Sequence, residues 1–157
     1  MTIYFYSIQG EYGCFSNFSR HGFELDGLYW QTSEHYFQAQ KFVGTPHLEE
    51  ICNCKTPKDA ANEGRKRTRP LRHDWELVKD DIMRKAVLRK FETHKQIREV
   101  LLSTKDEEIV ENAPGDYYWG CGKDGSGKNM LGKILMEVRD LLRFPTSLRS
   151  RESRCDI

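Results

Sequence analysis

One segment limits the fold of this chain more than any other: Trp30-Gln-Thr-Ser-Glu-His-Tyr-Phe-Gln-Ala-Gln-Lys-Phe42. Thr32 or Ser33 is placed to cap a helix, and Glu34 then falls in the first turn, where a carboxylate suits the helix dipole. In a helix, Glu34, Gln38 and Lys41 stand at i, i+4 and i+7 on one face. Phe37 and Phe42 flank that stripe, while Tyr36, Ala39 and Val43 take the opposite side. Apart from His35 and Gln40, everything off the stripe is aromatic or apolar. Such a helix belongs inside a core, so its polar stripe must line a cavity or close an internal network. An acid, an amide and a base facing a cavity are parts of an active site. A satisfied network that only pins the core is the other reading, and helical geometry leaves both open.

The remaining sequence supplies the elements that bury this helix. Residues 2–7 are β-branched and aromatic and read as a strand, and Phe23 to Trp30 reads as a hairpin around Asp26-Gly27. A second helix is expected near 46–53. Thr56-Pro57-Lys58-Asp59 then combines a cap, a proline at N1 and an acid at N3, opening a third helix that ends near Gly64. Asp74 is placed to cap the longest helix, 75–93, with the apolar stripe Trp75, Val78, Ile82, Met83 and Ala86. A short helix carries Ile97, Val100 and Leu101, and Ile109-Val110 reads as a short strand. The last helix, 128–143, turns Leu131, Ile134, Leu135, Val138 and Leu142 inward. Helices dominate and strands are scattered, which predicts α+β, as a single compact helix-rich domain with a small β-sheet over residues 1–144. Residues 145–157 are Ser/Arg-rich, offer little to bury, and are expected as a mobile tail.

At 157 residues the chain can bury a core of its own, and 31% charged residues against 38% hydrophobic ones is ordinary globular composition. No apolar run approaches membrane-spanning length and the start has no secretory pattern, so a cytoplasmic location without membrane attachment is expected. The net charge of +1 conceals an uneven spread, with 14 Lys+Arg against 8 Asp+Glu in residues 51–100 but 2 against 6 in residues 1–50. Much of the excess is in Gly64-Arg65-Lys66-Arg67-Thr68-Arg69-Pro70-Leu71-Arg72, a phosphate or nucleic-acid patch on one reading and a solvated surface on the other. Five cysteines at irregular spacing (Cys14, Cys52, Cys54, Cys121 and Cys155) argue against a disulfide framework. Cys52 and Cys54 lack a second Cys/His pair to complete a zinc site.

Two glycine patterns suggest nucleotide loops. Gly120 to Gly125 spells G-x-G-x-x-G, and Gly122 to Lys128 spells G-x-x-x-x-G-K. Neither follows a buried strand that opens a βαβ unit, and Asn129 stands where a P-loop needs Ser or Thr. What remains is a run of glycine amides before a helix, either an anion cradle or a plain turn. The five histidines show no metal spacing, and no serine sits in a nucleophile elbow.

Taken together, these motifs resemble the NADAR family of YbiA-like N-glycosidases. The resemblance is carried by Phe15-Ser-Asn-Phe18, the Trp30 to Phe42 segment, Gly64-Arg65, Leu71-Arg72-x-x-Trp75 and Met83-Arg-Lys-Ala86. It continues through Lys90-Phe91, Asp116-x-Tyr-Trp119-Gly120 and Gly127-Lys-Asn129-x-Leu-Gly132. It runs in order from about Ile3 to Leu142 and implies the YbiA-like fold. It also implies cleavage of a ribosyl C–N bond, with phosphoribosylamino-pyrimidine intermediates of riboflavin biosynthesis as substrates. Ribose 5-phosphate and the free aminopyrimidine would be the products, in metabolite damage control. No metal or redox cofactor is implied.

That chemistry can be matched to residues. Breaking the bond builds positive charge on the ribose, which a carboxylate stabilises while activating water. Glu34 is the first candidate for that role and Asp116 the second. Lys41 offers the alternative of a Schiff base with the opened sugar. Asn17 and Gln38 suit ribose hydroxyls or the pyrimidine edge, Trp119 a stacked base, and Arg65 or Arg72 the 5′-phosphate. Two rival functions stay open at this level. One is an ADP-ribosyl hydrolase acting on guanine in nucleic acid, gripped by the basic run. The other is a module that binds NAD or ADP-ribose without turnover.

Overall fold

The computed structural model describes residues 1–144, and the Ser/Arg-rich segment expected as a tail lies outside the described residues. β1 (Ile3–Phe5) is followed by one turn of 3-10 helix at Gly13–Phe15, then by β2 (Phe23–Leu25) and β3 (Leu28–Trp30). The helices α1 (Ser33–Gln40), α2 (His47–Cys52), α3 (Pro57–Arg65), α4 (Trp75–Thr93) and α5 (Lys95–Ser103) come next. β4 (Ile109–Glu111) and α6 (Met130–Arg143) complete the described chain.

The Asp26-Gly27 signal makes the expected hairpin. β2 and β3 pair antiparallel with Leu25 opposite Leu28. Asp26 and Gly27 take φ of 54° and 80°, the left-handed pair whose twist matches the strands. Phe23, Leu25 and Trp30 are buried, and the turn carboxylate of Asp26 accepts bonds from Tyr36 Oη at 2.7 Å and Lys85 Nζ at 2.5 Å. The strands do not merge into one sheet. β1 pairs in parallel with β4, with Ile3 opposite Ile109 and Phe5 opposite Glu111.

α1 lies between two apolar clusters, which is why it can be apolar on nearly every side. Phe37 joins Phe5, Phe15, Trp75, Met83, Phe91 and the inner face of α6, whereas Tyr36, Ala39 and Phe42 join Phe23, Trp30, Ile51 and Ala60. Every residue of α1 is buried. Val43 is exposed, because the helix ends at Gln40 and the chain turns away before it.

The α1 N-terminus is fastened from several sides. Thr32, not Ser33, is the cap: its Oγ1 accepts from His35 N at 3.1 Å and lies 2.7 Å from His35 Nδ1. His35 Nε2 donates to Cys54 O at 2.9 Å, so Nδ1 accepts from the threonine hydroxyl. Burial lowers the His35 pKa and keeps this neutral form. Thr32→Ala therefore removes the cap and strands a buried ring nitrogen, which should destabilise the fold by about 2–3 kcal/mol in urea titrations.

Asp74 differs from expectation. It precedes α4 without making a side-chain cap, because its carboxylate is held by Arg72 at 2.6 and 2.9 Å.

Candidate active site

The α1 stripe faces a cleft of about 820 Å³. Glu34, Gln38 and Lys41 are only 7%, 3% and 6% exposed, yet all three line it. Gln38 Nε2 donates to Glu34 Oε1 at 2.8 Å, while Gln38 Oε1 is buried with no partner in the protein. A fully satisfied structural network would leave no such acceptor, so the stripe has binding capacity to spare. Burial raises the Glu34 pKa, and Asp116 adds to the effect; Gln38, Arg65 and Lys41 pull the other way. Lys41 is pushed down to about 8 by burial, with Arg67 and Arg65 acting in the same direction and Glu34 opposing them. Its Nζ donates to Gly64 O at 3.4 Å and lies 5.7 Å from the Trp75 ring centroid.

Asn17 comes from the loop after the 3-10 turn, which is docked on the start of α1. Its carbonyl accepts from Glu34 N at 3.2 Å, and its Oδ1 accepts from Ser33 Oγ at 2.7 Å. Its side-chain amide nitrogen is only 3.5 Å from Met83 Sδ, a weak acceptor, which leaves donor capacity at the cleft wall. On the far side, Asp116 Oδ1 accepts from the backbone N–H of Tyr118 and Trp119 at 3.1 and 2.8 Å. That turn presents the Asp116 carboxylate and the Trp119 ring to the cleft together. Phe37 bridges the aromatic wall, 5.1 Å from both Trp75 and Trp119 between ring centroids.

Of the two candidate arginines only Arg65 lines the cleft. Arg72 is outside the lining, occupied by Asp74, and so is not placed to meet a phosphate there. Arg65→Ala should accordingly raise KM for a phosphorylated ligand by about tenfold to a hundredfold, the loss of one charge-assisted contact. Arg72→Ala should leave KM unchanged and cost about 0.5–1 kcal/mol of stability, the range of a partly exposed ion pair. The anion cradle ahead of α6 is also overturned. The N–H groups of Gly127, Lys128, Asn129, Met130 and Leu131 already bond to the carbonyls of Cys121, Tyr117, Gly120, Tyr118 and Trp119. Asn129, at φ 50°, bridges β4 instead, accepting from Glu111 N at 3.0 Å and donating to Ile109 O at 2.9 Å.

The lining also includes residues that were not among the candidates, among them Arg20, Trp75, Lys79, Glu111 and Tyr118. Trp75 reads as core from its stripe, but it opens α4 and one face is left to the cleft. Glu111 could have been found by strand alternation, since period two puts it on the side of the buried Ile109. Among the described residues, no cluster of His, Cys, Asp or Glu is arranged to hold a metal, Cys14, Cys52, Cys54 and Cys121 are free, and no helix is long and apolar enough to cross a membrane.

Fold and cleft define an α+β protein with carboxylates, a basic side chain and flat aromatic walls gathered in one buried pocket, fit for a charged ligand with a planar ring. The NADAR domain matches residues 4–143, and the chain belongs to that family. It is 56% identical over 151 residues to an N-glycosidase of Nostoc punctiforme, covering 94% of this chain and 97% of that one. It is 50% identical over 140 residues to N-glycosidase YbiA of Escherichia coli K12, with 89% and 88% covered. The NMR structure of E. coli YbiA superposes with a TM-score of 0.84 at 49% identity, over 90% of this chain and 84% of that one. A chloroplastic riboflavin biosynthesis protein of Zea mays is 40% identical over 152 residues, which cover 87% of this chain and 24% of the maize protein.

Proposed function

We propose that this protein is an N-glycosidase that hydrolyses the ribosyl C–N bond of phosphoribosylamino-pyrimidine intermediates of riboflavin biosynthesis. The products are ribose 5-phosphate and the free aminopyrimidine. The observation that carries this reading is Glu34, a buried acid aimed into an aromatic-walled cleft beside an unpartnered amide oxygen. Family membership supports it, as do the N-glycosidases at 50–56% identity and the riboflavin link of the maize protein.

The cleft supplies each requirement. The Glu34 carboxylate stabilises the oxocarbenium-like ribose and takes a proton from the attacking water, and Asp116 reinforces the negative field there. Gln38 and the Asn17 amide take the ribose hydroxyls, Trp119 and Trp75 flank the pyrimidine, and Arg65 meets the phosphate. Lys41 favours a second route. An amine pushed down to about 8 is partly neutral at physiological pH and can attack C1 of the opened sugar to form a Schiff base. Borohydride added during turnover distinguishes the two: a stable sugar adduct on Lys41 establishes the lysine route, and its absence leaves direct hydrolysis through Glu34.

Release of free aminopyrimidine and ribose 5-phosphate, followed by chromatography, tests the substrate reading. ADP-ribosylated DNA is the comparison substrate. The basic run is poorly disposed to grip a nucleic-acid backbone, since Lys66 pairs with Glu63, Arg69 with Glu50 and Glu63, and Arg72 with Asp74. Cleavage of the DNA adduct alone would replace the proposal. Thermal stabilisation by ADP-ribose with no cleavage of either substrate would favour a binding module.

A further inference from the structure

Three carboxylates line the cleft, and the reaction above uses only Glu34 and Asp116. Glu111 closes β4 with its backbone N–H held by Asn129 Oδ1 at 3.0 Å and Phe5 of β1 beside it in the ladder. The strand is thus pinned from behind, and its last side chain is delivered to the cleft wall. Glu111 Oε2 is buried and has no hydrogen-bond partner in the protein. An ionised oxygen there would be an unmatched buried charge. A protonated one is a donor with no protein acceptor, on a side chain that lines the cleft.

We propose that Glu111 is the general acid of this cleft, donating its proton to the nitrogen that leaves ribose C1. The inference rests on the N-glycosidase reading. In the step, the C1–N bond breaks with its electron pair passing to nitrogen, and the Glu111 O–H proton follows it. A water oxygen bonds to C1, and the proton that water loses goes to the Glu34 carboxylate. Exchange with solvent then returns Glu34 to its carboxylate and Glu111 to its acid form.

The surroundings of Glu111 suit this division of roles. Burial raises it to about 8, and the negative charges of Asp116, from the loop after β4, and Glu34, from α1, add to that effect. The cations Arg20, Lys41, Arg65 and Lys79 and the phenols of Tyr6 and Tyr118 share the cleft lining. The α6 side supplies Asn129, whose side chain bonds the Glu111 backbone N–H and the Ile109 carbonyl and not the Glu111 carboxyl. Two acids in one cleft with different surroundings are the usual basis for separate acid and base assignments.

The test is Glu111→Gln, assayed on phosphoribosylamino-pyrimidine and on p-nitrophenyl ribose 5-phosphate, whose phenolate leaves without a proton. The expected result is a loss of about 10²–10³ in kcat on the pyrimidine with disappearance of the basic limb near pH 8, and a near wild-type rate on the nitrophenyl substrate. Stability gives a readout independent of turnover. The folded protein keeps a proton that the unfolded chain releases, so the Glu111 contribution is full below 4.5 and is lost as pH climbs to about 8. That fall should be present in wild type and flattened in the variant. Equal losses on both substrates, a retained basic limb, or identical pH–stability curves would overturn the assignment. A wild-type protein that cleaves no ribosyl–nitrogen bond would overturn the function and the assignment together, whereas wild-type cleavage with an unaffected variant overturns the assignment alone.

Discussion

Glu34→Gln should lower kcat by about 10³-fold while leaving the fold intact, as befits loss of a base and of transition-state charge stabilisation together. The variant keeps the volume of the side chain and an oxygen for the 2.8 Å bond from Gln38 Nε2. It also removes a buried group whose ionisation the folded state disfavours. The sign of the pH effect follows from that raised pKa. The Glu34 contribution to stability is full below the ordinary carboxylate range and is lost as pH rises through the folded value. At pH 7 the variant should therefore melt at the wild-type temperature or above it. A melting temperature that falls along with activity would instead mark the Glu34–Gln38 pair as structural. Turnover assays and thermal scans on one preparation decide the matter.

The second large effect belongs to Gly64 at the end of α3. A Cβ there would lie 2.8 Å from both Cβ and Cδ of Gln38, because α3 meets α1 with backbone almost against side chain. Gly64→Val must expel Gln38 from its position, and Gln38 is what orients the Glu34 carboxylate. Overpacking of this kind costs about 2–3 kcal/mol, and misplacing the acid should lower kcat by about a hundredfold. The signature differs from that of Glu34→Gln, since stability and activity fall together. Loss of activity with an unchanged urea midpoint would show that α3 can move aside and that the close approach is dispensable.

Local rules were legible where the deciding atoms lie within a few residues. Thr56 caps α3 through a 3.0 Å bond from Asp59 N, with Pro57 opening the helix, as the four-residue pattern predicts. The Asp26-Gly27 hairpin and the 3.6-residue stripe of α6 belong to the same kind. Asp74 shows where local reading stops. Its spacing suggests a cap, but an arginine two residues earlier competes for the carboxylate, and the bidentate pair wins. The same pairing takes Arg72 away from the cleft that Arg65 lines. The glycine run before α6 fails as an anion cradle for a related reason. The N–H groups of residues 127–131 are matched by carbonyls of residues 117–121, and no helix-start rule anticipates a loop folding back on itself.

Element order, the burial of α1 and the polar stripe Glu34, Gln38 and Lys41 could be read from residue spacing alone, because helical periodicity depends only on spacing along the chain. The sequence motifs also carried the family resemblance. Which groups share the cleft depends on the packing of distant elements. Glu34 comes from a helix far in sequence from Glu111 and Asp116, which stand at a strand end and in the loop after it, and gathering the three in one cleft raises Glu34 and Glu111 together. Desolvation and charge proximity are properties of three-dimensional packing, so the division of labour among these acids is written only in the fold.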